Sequence, residues 1–242
     1  DLSIEEDKKS YYEYKPIPLD FVLSLRDYQE QAVSLALRKR NLLVADQVGL
    51  GKSCIGIAFA SKNLPAICIV PPHLLTQWEN EIKKFMPKAR IYKIKSWLDI
   101  KKLPEVDFYI DSYTRIFKGV DILLKIKPRT LVLDEIQSLR HDSTKKYNAV
   151  RDLSEKCKYK IGLSATPIMN YGNELFNIYQ ILNKDCLGSE EDFYREWCEW
   201  YGKGIKNPEL LGNFLKKNFL IIRRTRKDVD QNLSEVNRIV YD

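Results

Sequence analysis

Residues 45–53 read ADQVGLGKS, a loop with two glycines that ends in lysine and serine, and its flanks decide the fold. Before it, Asn41-Leu42-Leu43-Val44-Ala45 is a short apolar run suited to a buried parallel strand. After it, Cys54-Ile55-Gly56-Ile57-Ala58-Phe59-Ala60 has the apolar density of a buried helix. A strand, a glycine loop and a helix N-terminus together make a phosphate cradle. Gly49, Leu50 and Gly51 present backbone N–H groups to phosphate oxygens, Lys52 is placed for the β- and γ-phosphates, and the Ser53 hydroxyl for Mg²⁺. The generic loop carries glycine five positions before Gly51, where this chain has Asp46. As a bare string the segment is also readable as a plain strand-to-helix turn with an exposed lysine.

Outward from the loop, strand-like and helix-like runs alternate. Strands are expected near 42–46, 66–71, 90–95, 106–111, 130–134 and 159–164, with helices at 52–62, 74–86 and 144–156. This order predicts βαβ units and a mostly parallel sheet covered on both faces, an α/β fold. Beyond Pro167 the pattern turns helical, at 172–183, 189–201 and 207–218. Phe193, Trp197, Trp200 and Tyr201 are read there as packing between helices. Residues 1–24 are polar, tyrosine-rich and interrupted by Pro16 and Pro18, an irregular entry segment. The chain begins without methionine and stops at Ile239-Val240-Tyr241-Asp242, which reads as an interrupted strand, so a piece of a longer protein is expected.

Composition bounds the function. At 242 residues the chain can bury a substantial core. Its five cysteines, Cys54, Cys68, Cys157, Cys186 and Cys198, are widely spaced without a C-x-x-C pair, which fits a reducing compartment rather than a disulfide framework or a zinc site. His73 and His141 are too few for a histidine-rich metal centre. No apolar stretch approaches the length of a membrane span and the acidic start is no signal peptide, so no membrane partner is expected and the protein is read as soluble and intracellular, in cytoplasm or nucleus. A net charge of +7 suits a polyanionic partner and equally suits an ordinary lysine-rich surface.

A second chemical element is Thr130-Leu131-Val132-Leu133-Asp134-Glu135, an apolar strand ending in two adjacent carboxylates. In a parallel sheet the C-terminal strand ends line the ligand crevice, which brings these acids beside the phosphate loop. Asp134 is expected to hold Mg²⁺, directly or through water, and Glu135 to orient and deprotonate an attacking water. A third element, Ile161-Gly162-Leu163-Ser164-Ala165-Thr166-Pro167, runs from a strand into a hydroxyl-bearing turn. Ser164 and Thr166 can hydrogen-bond the carboxylates or the γ-phosphate, or simply cap the next helix.

Taken in order, these motifs resemble the Swi/Snf-type ATPases of helicase superfamily two, translocases on double-stranded DNA, over about residues 25–230. Leu25-Arg26-Asp27-Tyr28-Gln29 is similar to the family's adenine-reading segment, implying an adenine contact for Gln29. The family normally has aspartate at the place of Asp46, so the irregular loop becomes a point of resemblance. Val70-Pro71-Pro72-His73-Leu74-Leu75-Thr76-Gln77-Trp78 and Asp111-Ser112-Tyr113 resemble DNA-side motifs, implying DNA contacts at Pro72, His73 and Ser112, with Trp78 read as packing. Asn170 matches an asparagine that follows the third motif. Asp134-Glu135-Ile136-Gln137 stands where the family has a DEAH-like box, with Gln137 in place of the commoner histidine and a coupling role implied. Arg223, Arg224, Arg226 and Lys227 are read as approaching DNA or another lobe, or as a solvated basic face.

The resemblance implies a P-loop NTPase of RecA-like type, a three-layer sandwich with extra C-terminal helices, using ATP and Mg²⁺. It implies an ATP-binding lobe at 25–230 and, at 231–242, the start of a linker to a second RecA-like lobe that supplies an arginine finger. Two other readings stay open: a strand-separating restriction or repair helicase lobe, and a nucleotide-gated protein-binding module. A guanine switch fits less well, because Asn183-Lys184-Asp185-Cys186 lacks the final aspartate of guanine recognition.

Overall fold

The computed structural model describes residues 24–165 and 171–229. The phosphate-loop strand, β1 (Asn41–Val44), lies in a seven-stranded sheet with β2 (Ala66–Val70), β3 (Ile91–Lys93), β4 (Phe108–Ser112), β5 (Thr130–Asp134), β6 (Tyr159–Leu163) and β7 (Ile221–Ile222). The order is β3-β4-β2-β5-β6-β1-β7 and every pairing is parallel. The helices are α1 (Asp27–Lys39), α2 (Lys52–Ser61), α3 (Leu75–Phe85), α4 (Val120–Lys125), α5 (Lys145–Lys156), α6 (Gly172–Leu182), α7 (Glu190–Trp197), α8 (Pro208–Lys217) and α9 (Arg226–Val229).

Parallel strands need both faces covered, and alternation along each strand supplies two cores. Leu42 and Val44 join Cys68, Val132 and Ile161 on the face packed by α1, α2 and α3. Leu43 joins Ile67, Leu131 and Leu133 on the opposite face, packed by α5, α6 and the later helices. The result is the expected three-layer α/β sandwich.

Four elements, α1, α4, α9 and β7, lie outside the stretches expected from the sequence pattern. The stripe Ala32, Val33, Leu35 and Ala36 buries α1, and the Gln29 side chain accepts the Arg26 amide at 3.0 Å to start it. Two differences bear on function. The strand expected to stop at residue 111 continues through Ser112, and all five residues of β4 are buried. The helix expected over 189–201 is capped by Ser189, ends at Trp197, and turns extended at Cys198. Trp200 is then 82 % exposed and packs in no core, contrary to its reading as helix packing.

Sheet register sets the site. Val44 of β1 and Asp134 of β5 both pair with Leu163 of the intervening β6, so three strand ends finish in one row. The phosphate loop, the acid pair and Ser164 leave the sheet side by side, at the crevice where parallel α/β folds bind ligands.

Candidate nucleotide site

The loop after β1 is held by glycine geometry and by a distant segment. Gly49 and Gly51 have φ of 90° and 71°, a left-handed backbone that L side chains rarely adopt. A Cβ at Gly51 would lie 2.5 Å from the Gln29 amide nitrogen, so the glycine also makes room for α1. Gln29 Nε2 and the Tyr28 hydroxyl each donate to the Leu50 carbonyl at 3.1 Å. The Gln29 amide therefore joins the segment read as adenine-facing to the phosphate loop. With two N–H groups and two carbonyl lone pairs, it has hydrogen-bonding capacity beyond these contacts.

Asp46 is fully buried and is the anchor of the loop. It accepts the backbone amide and Nε of Arg224, each at 3.0 Å, and pairs with the same guanidinium through its second nitrogen. The remaining arm of Arg224 donates to the Tyr28 carbonyl, and the guanidinium lies 5.0 Å from the centre of the Tyr28 ring. Backbone bonds continue the β7 pairing into the loop, from Ala45 N to Ile222 O and from Gln47 N to Arg224 O. Arg226 follows, its amide donating to the Gln47 side chain at 2.8 Å and its guanidinium lying against Gly49. Arg224 is thus a nearly buried structural clamp rather than a solvated residue.

Lys52 and Ser53 open α2, whose N-terminus points its unpaired backbone donors to the loop. The Lys52 ammonium donates to the Asp46 carbonyl at 2.8 Å. Burial lowers its pKa against the opposing attraction of Glu135, Asp46 and Asp134. Behind the loop, Cys54 packs against the core on the α1–α3 face, and burial raises its thiol to about 11. All five cysteines are free.

The acids leave β5 under tight control. Asp134 is buried and its pKa is raised chiefly by desolvation. The Trp78 indole N–H donates to its Oδ2 at 2.7 Å, the Glu135 amide to its Oδ1 at 3.1 Å, and the Tyr113 hydroxyl to its backbone carbonyl at 2.8 Å. The packing assigned to Trp78 is therefore only half of its contact set. Glu135 takes a left-handed backbone, φ 49° and ψ 53°, a strained conformation typical of functional turns. The Gln137 amide donates to the Glu135 carboxylate, and the Ser164 hydroxyl donates to Gln137 Oε1 at 2.7 Å. The acid pair and the turn after β6 are one hydrogen-bonded unit, with Gln137 bridging them.

Mg²⁺ commonly uses one or two protein oxygens plus phosphate oxygens rather than an all-protein cage. Asp134, with its carboxylate oriented by protein donors, and Ser53 at the start of α2 fit that pattern, and no cluster of three or more acidic, histidine or cysteine ligands occurs among the described residues. In the first segment read as DNA-facing, Pro72 and His73 are exposed in a short turn ahead of α3. Ser112 is buried and shares a 3.0 Å hydrogen bond with the hydroxyl of the exposed Thr114. Thr166 and Asn170 lie outside the described residues.

A parallel sheet carrying a glycine phosphate loop after β1, an acid pair after β5 and a bridged hydroxyl after β6 defines a RecA-like P-loop lobe. The SNF2-related domain family matches residues 21–241, and the chain belongs to that family. It is similar to the SWI/SNF-related subfamily A-like protein 1 homolog of Caenorhabditis elegans, at 30 % identity over 88 % of this chain and 33 % of the relative. Human chromatin-remodeling ATPase INO80 is 26 % identical over 91 % of this chain and 16 % of its own length. The solved Sulfolobus solfataricus SWI2/SNF2 ATPase core in complex with dsDNA superposes with a TM-score of 0.72 at 27 % identity, covering 88 % of this chain and 48 % of that one. The chain thus spans a third or less of these two curated relatives and about half of the solved core. Among the described residues no helix is long and apolar enough to cross a membrane.

Proposed function

We propose that this chain is the ATP-binding lobe of an intracellular motor that translocates on double-stranded DNA, and that it completes its catalytic site only with a second RecA-like lobe. The observation that carries this reading is the Glu135–Gln137–Ser164 chain of hydrogen bonds beside the Lys52 loop, which joins a hydrolytic acid pair to a neighbouring strand end. The family match and the similarity to a core solved with dsDNA support it.

In this scheme the Gly49–Gly51 backbone and Lys52 bind the β- and γ-phosphates, and Gln29 faces the adenine. Ser53 and Asp134 would hold Mg²⁺, which when bound neutralises charge on the transferred phosphoryl group. Glu135 orients the attacking water and accepts its proton. Gln137 and Ser164 register the state of Glu135 and pass it along the β6 turn. Pro72 and His73 after β2, and Thr114 after the neighbouring strand β4, face the DNA backbone, where phosphate contacts give little sequence preference and a steep salt dependence.

An arginine finger contributes about 10³–10⁵ in rate. The 242-residue chain alone is therefore expected to hydrolyse ATP poorly, with or without double-stranded DNA. A phosphate-release assay across a DNA titration checks this, and robust DNA-stimulated turnover by the chain alone would overturn the two-lobe requirement.

A further inference from the structure

Trp78 is a large fully buried side chain, and its single polar atom is spent on the carboxylate read as a metal ligand. An indole needs a partner for its N–H when buried, and many acceptors would serve. Here the acceptor is Asp134 Oδ2 at 2.7 Å, 56 residues away in sequence. The other side of the ring is built around as well. Gly56 of α2 faces it, and a Cβ there would stand 3.3 Å from Trp78 Cη2 and 3.1 Å from both Leu163 and Val132. A residue with a side chain at position 56 would press on the indole and on the strands beside Asp134. The phosphate-loop helix, the acid-bearing strand and α3 therefore meet at one indole.

Resting on the nucleotide reading above, we propose that Trp78 is a positioning residue of the metal site, whose indole N–H fixes the Asp134 carboxylate in the rotamer that receives Mg²⁺ with ATP. The Glu135 amide holds Oδ1 and the indole holds Oδ2, so the carboxylate cannot turn without losing a buried donor. Without the indole N–H, Oδ2 is left to seek another partner and the carboxylate samples orientations that miss the ion. Partners of this kind behind a metal ligand are worth about 10–100-fold in metal affinity. The α3 helix that carries Trp78 begins directly after the Pro72–Leu74 turn, so the lock follows immediately in the chain on the segment proposed to face DNA.

The test is fluorescence anisotropy of a labelled ATP analogue titrated with the 242-residue chain, once in MgCl₂ and once in EDTA. The wild type should bind more tightly with Mg²⁺. Trp78→Phe should lose about 10–100-fold of that magnesium-linked gain while its affinity in EDTA stays within about twofold. Replacing Trp78 by benzothienylalanine, which keeps the bicyclic shape and lacks the N–H, should reproduce the loss even if the phenylalanine variant fails to fold. In Asp134→Asn, Trp78→Phe should add nothing. A variant that keeps the full gain, an equal loss in MgCl₂ and EDTA, or a wild type that binds without magnesium dependence each overturns the positioning role alone. A wild type that binds no nucleotide in either buffer overturns the functional reading and this inference together.

Discussion

Arg224→Ala is expected to destabilise the folded chain by about 3–5 kcal/mol, the usual cost of removing one partner from a buried ion pair. The surviving Asp46 carboxylate is fully buried, and Arg224 is only 15 % exposed, so water cannot substitute for the lost donors. The clamp is multidentate: Arg224 supplies its amide and two guanidinium nitrogens to Asp46, and a third to the Tyr28 carbonyl. A loss of that size lowers the melting temperature of a chain this long by roughly 6–20 °C. Asp46→Ala should leave the guanidinium unpaired against Tyr28 and cost a similar amount. The double variant Asp46→Leu with Arg224→Leu is expected to recover much of the loss, because two apolar groups leave no unpaired charge. Urea denaturation of the three variants checks the series. Single variants as stable as wild type would show that the pair is ornamental.

The second large effect falls on chemistry. In the two-lobed protein proposed above, Glu135→Gln is expected to lower ATP hydrolysis by about 10²–10⁴, the range for a positioned general base. ATP binding should persist, because Glu135 has no part in the phosphate cradle. Glutamine keeps the shape of glutamate, so the left-handed turn at φ 49° and its bond to Gln137 can survive the change. Steady-state turnover alongside equilibrium nucleotide affinity separates the two effects. Unchanged turnover would remove Glu135 from the catalytic role.

The parts of the site that were legible in the sequence are those carried by local strings at strand ends. ADQVGLGKS between two apolar runs, and LVLDE as a strand closing on two acids, place their residues by chain order and parallel-sheet geometry alone. The sheet register then sets both at the row shared by Val44, Leu163 and Asp134. What could not be read are pairings between distant segments. Asp46 stood out as the wrong residue for a generic loop, yet its reason is an arginine 178 positions later, delivered by a strand of only two residues. Basic runs such as Arg223-Arg224-Thr225-Arg226-Lys227 read alike whether solvated or buried. The sequence signal, in retrospect, was the apolar Leu220-Ile221-Ile222 leading into that run and capable of feeding it to the loop.

Other misreadings have equally local causes. The strand expected to end at residue 111 includes Ser112, and that one residue places the Ser112 side chain in the buried sheet. Trp200 was expected inside because its spacing continues the helix, which in fact ends when Cys198 turns extended beside Gly172. Trp78 packs in the core as expected, and its indole also carries a donor that the buried Asp134 carboxylate uses.

The loop at Asp46–Ser53 is proposed above as a nucleotide phosphate site built around Lys52. Isothermal titration of the 242-residue chain with ATP and Mg²⁺, beside the same chain carrying Lys52→Ala, tests it most directly. The wild type should bind, and Lys52→Ala should bind about 10–100-fold more weakly, the worth of a charge-assisted hydrogen bond. No binding by the folded wild type, or equal binding by the two, would contradict the claim.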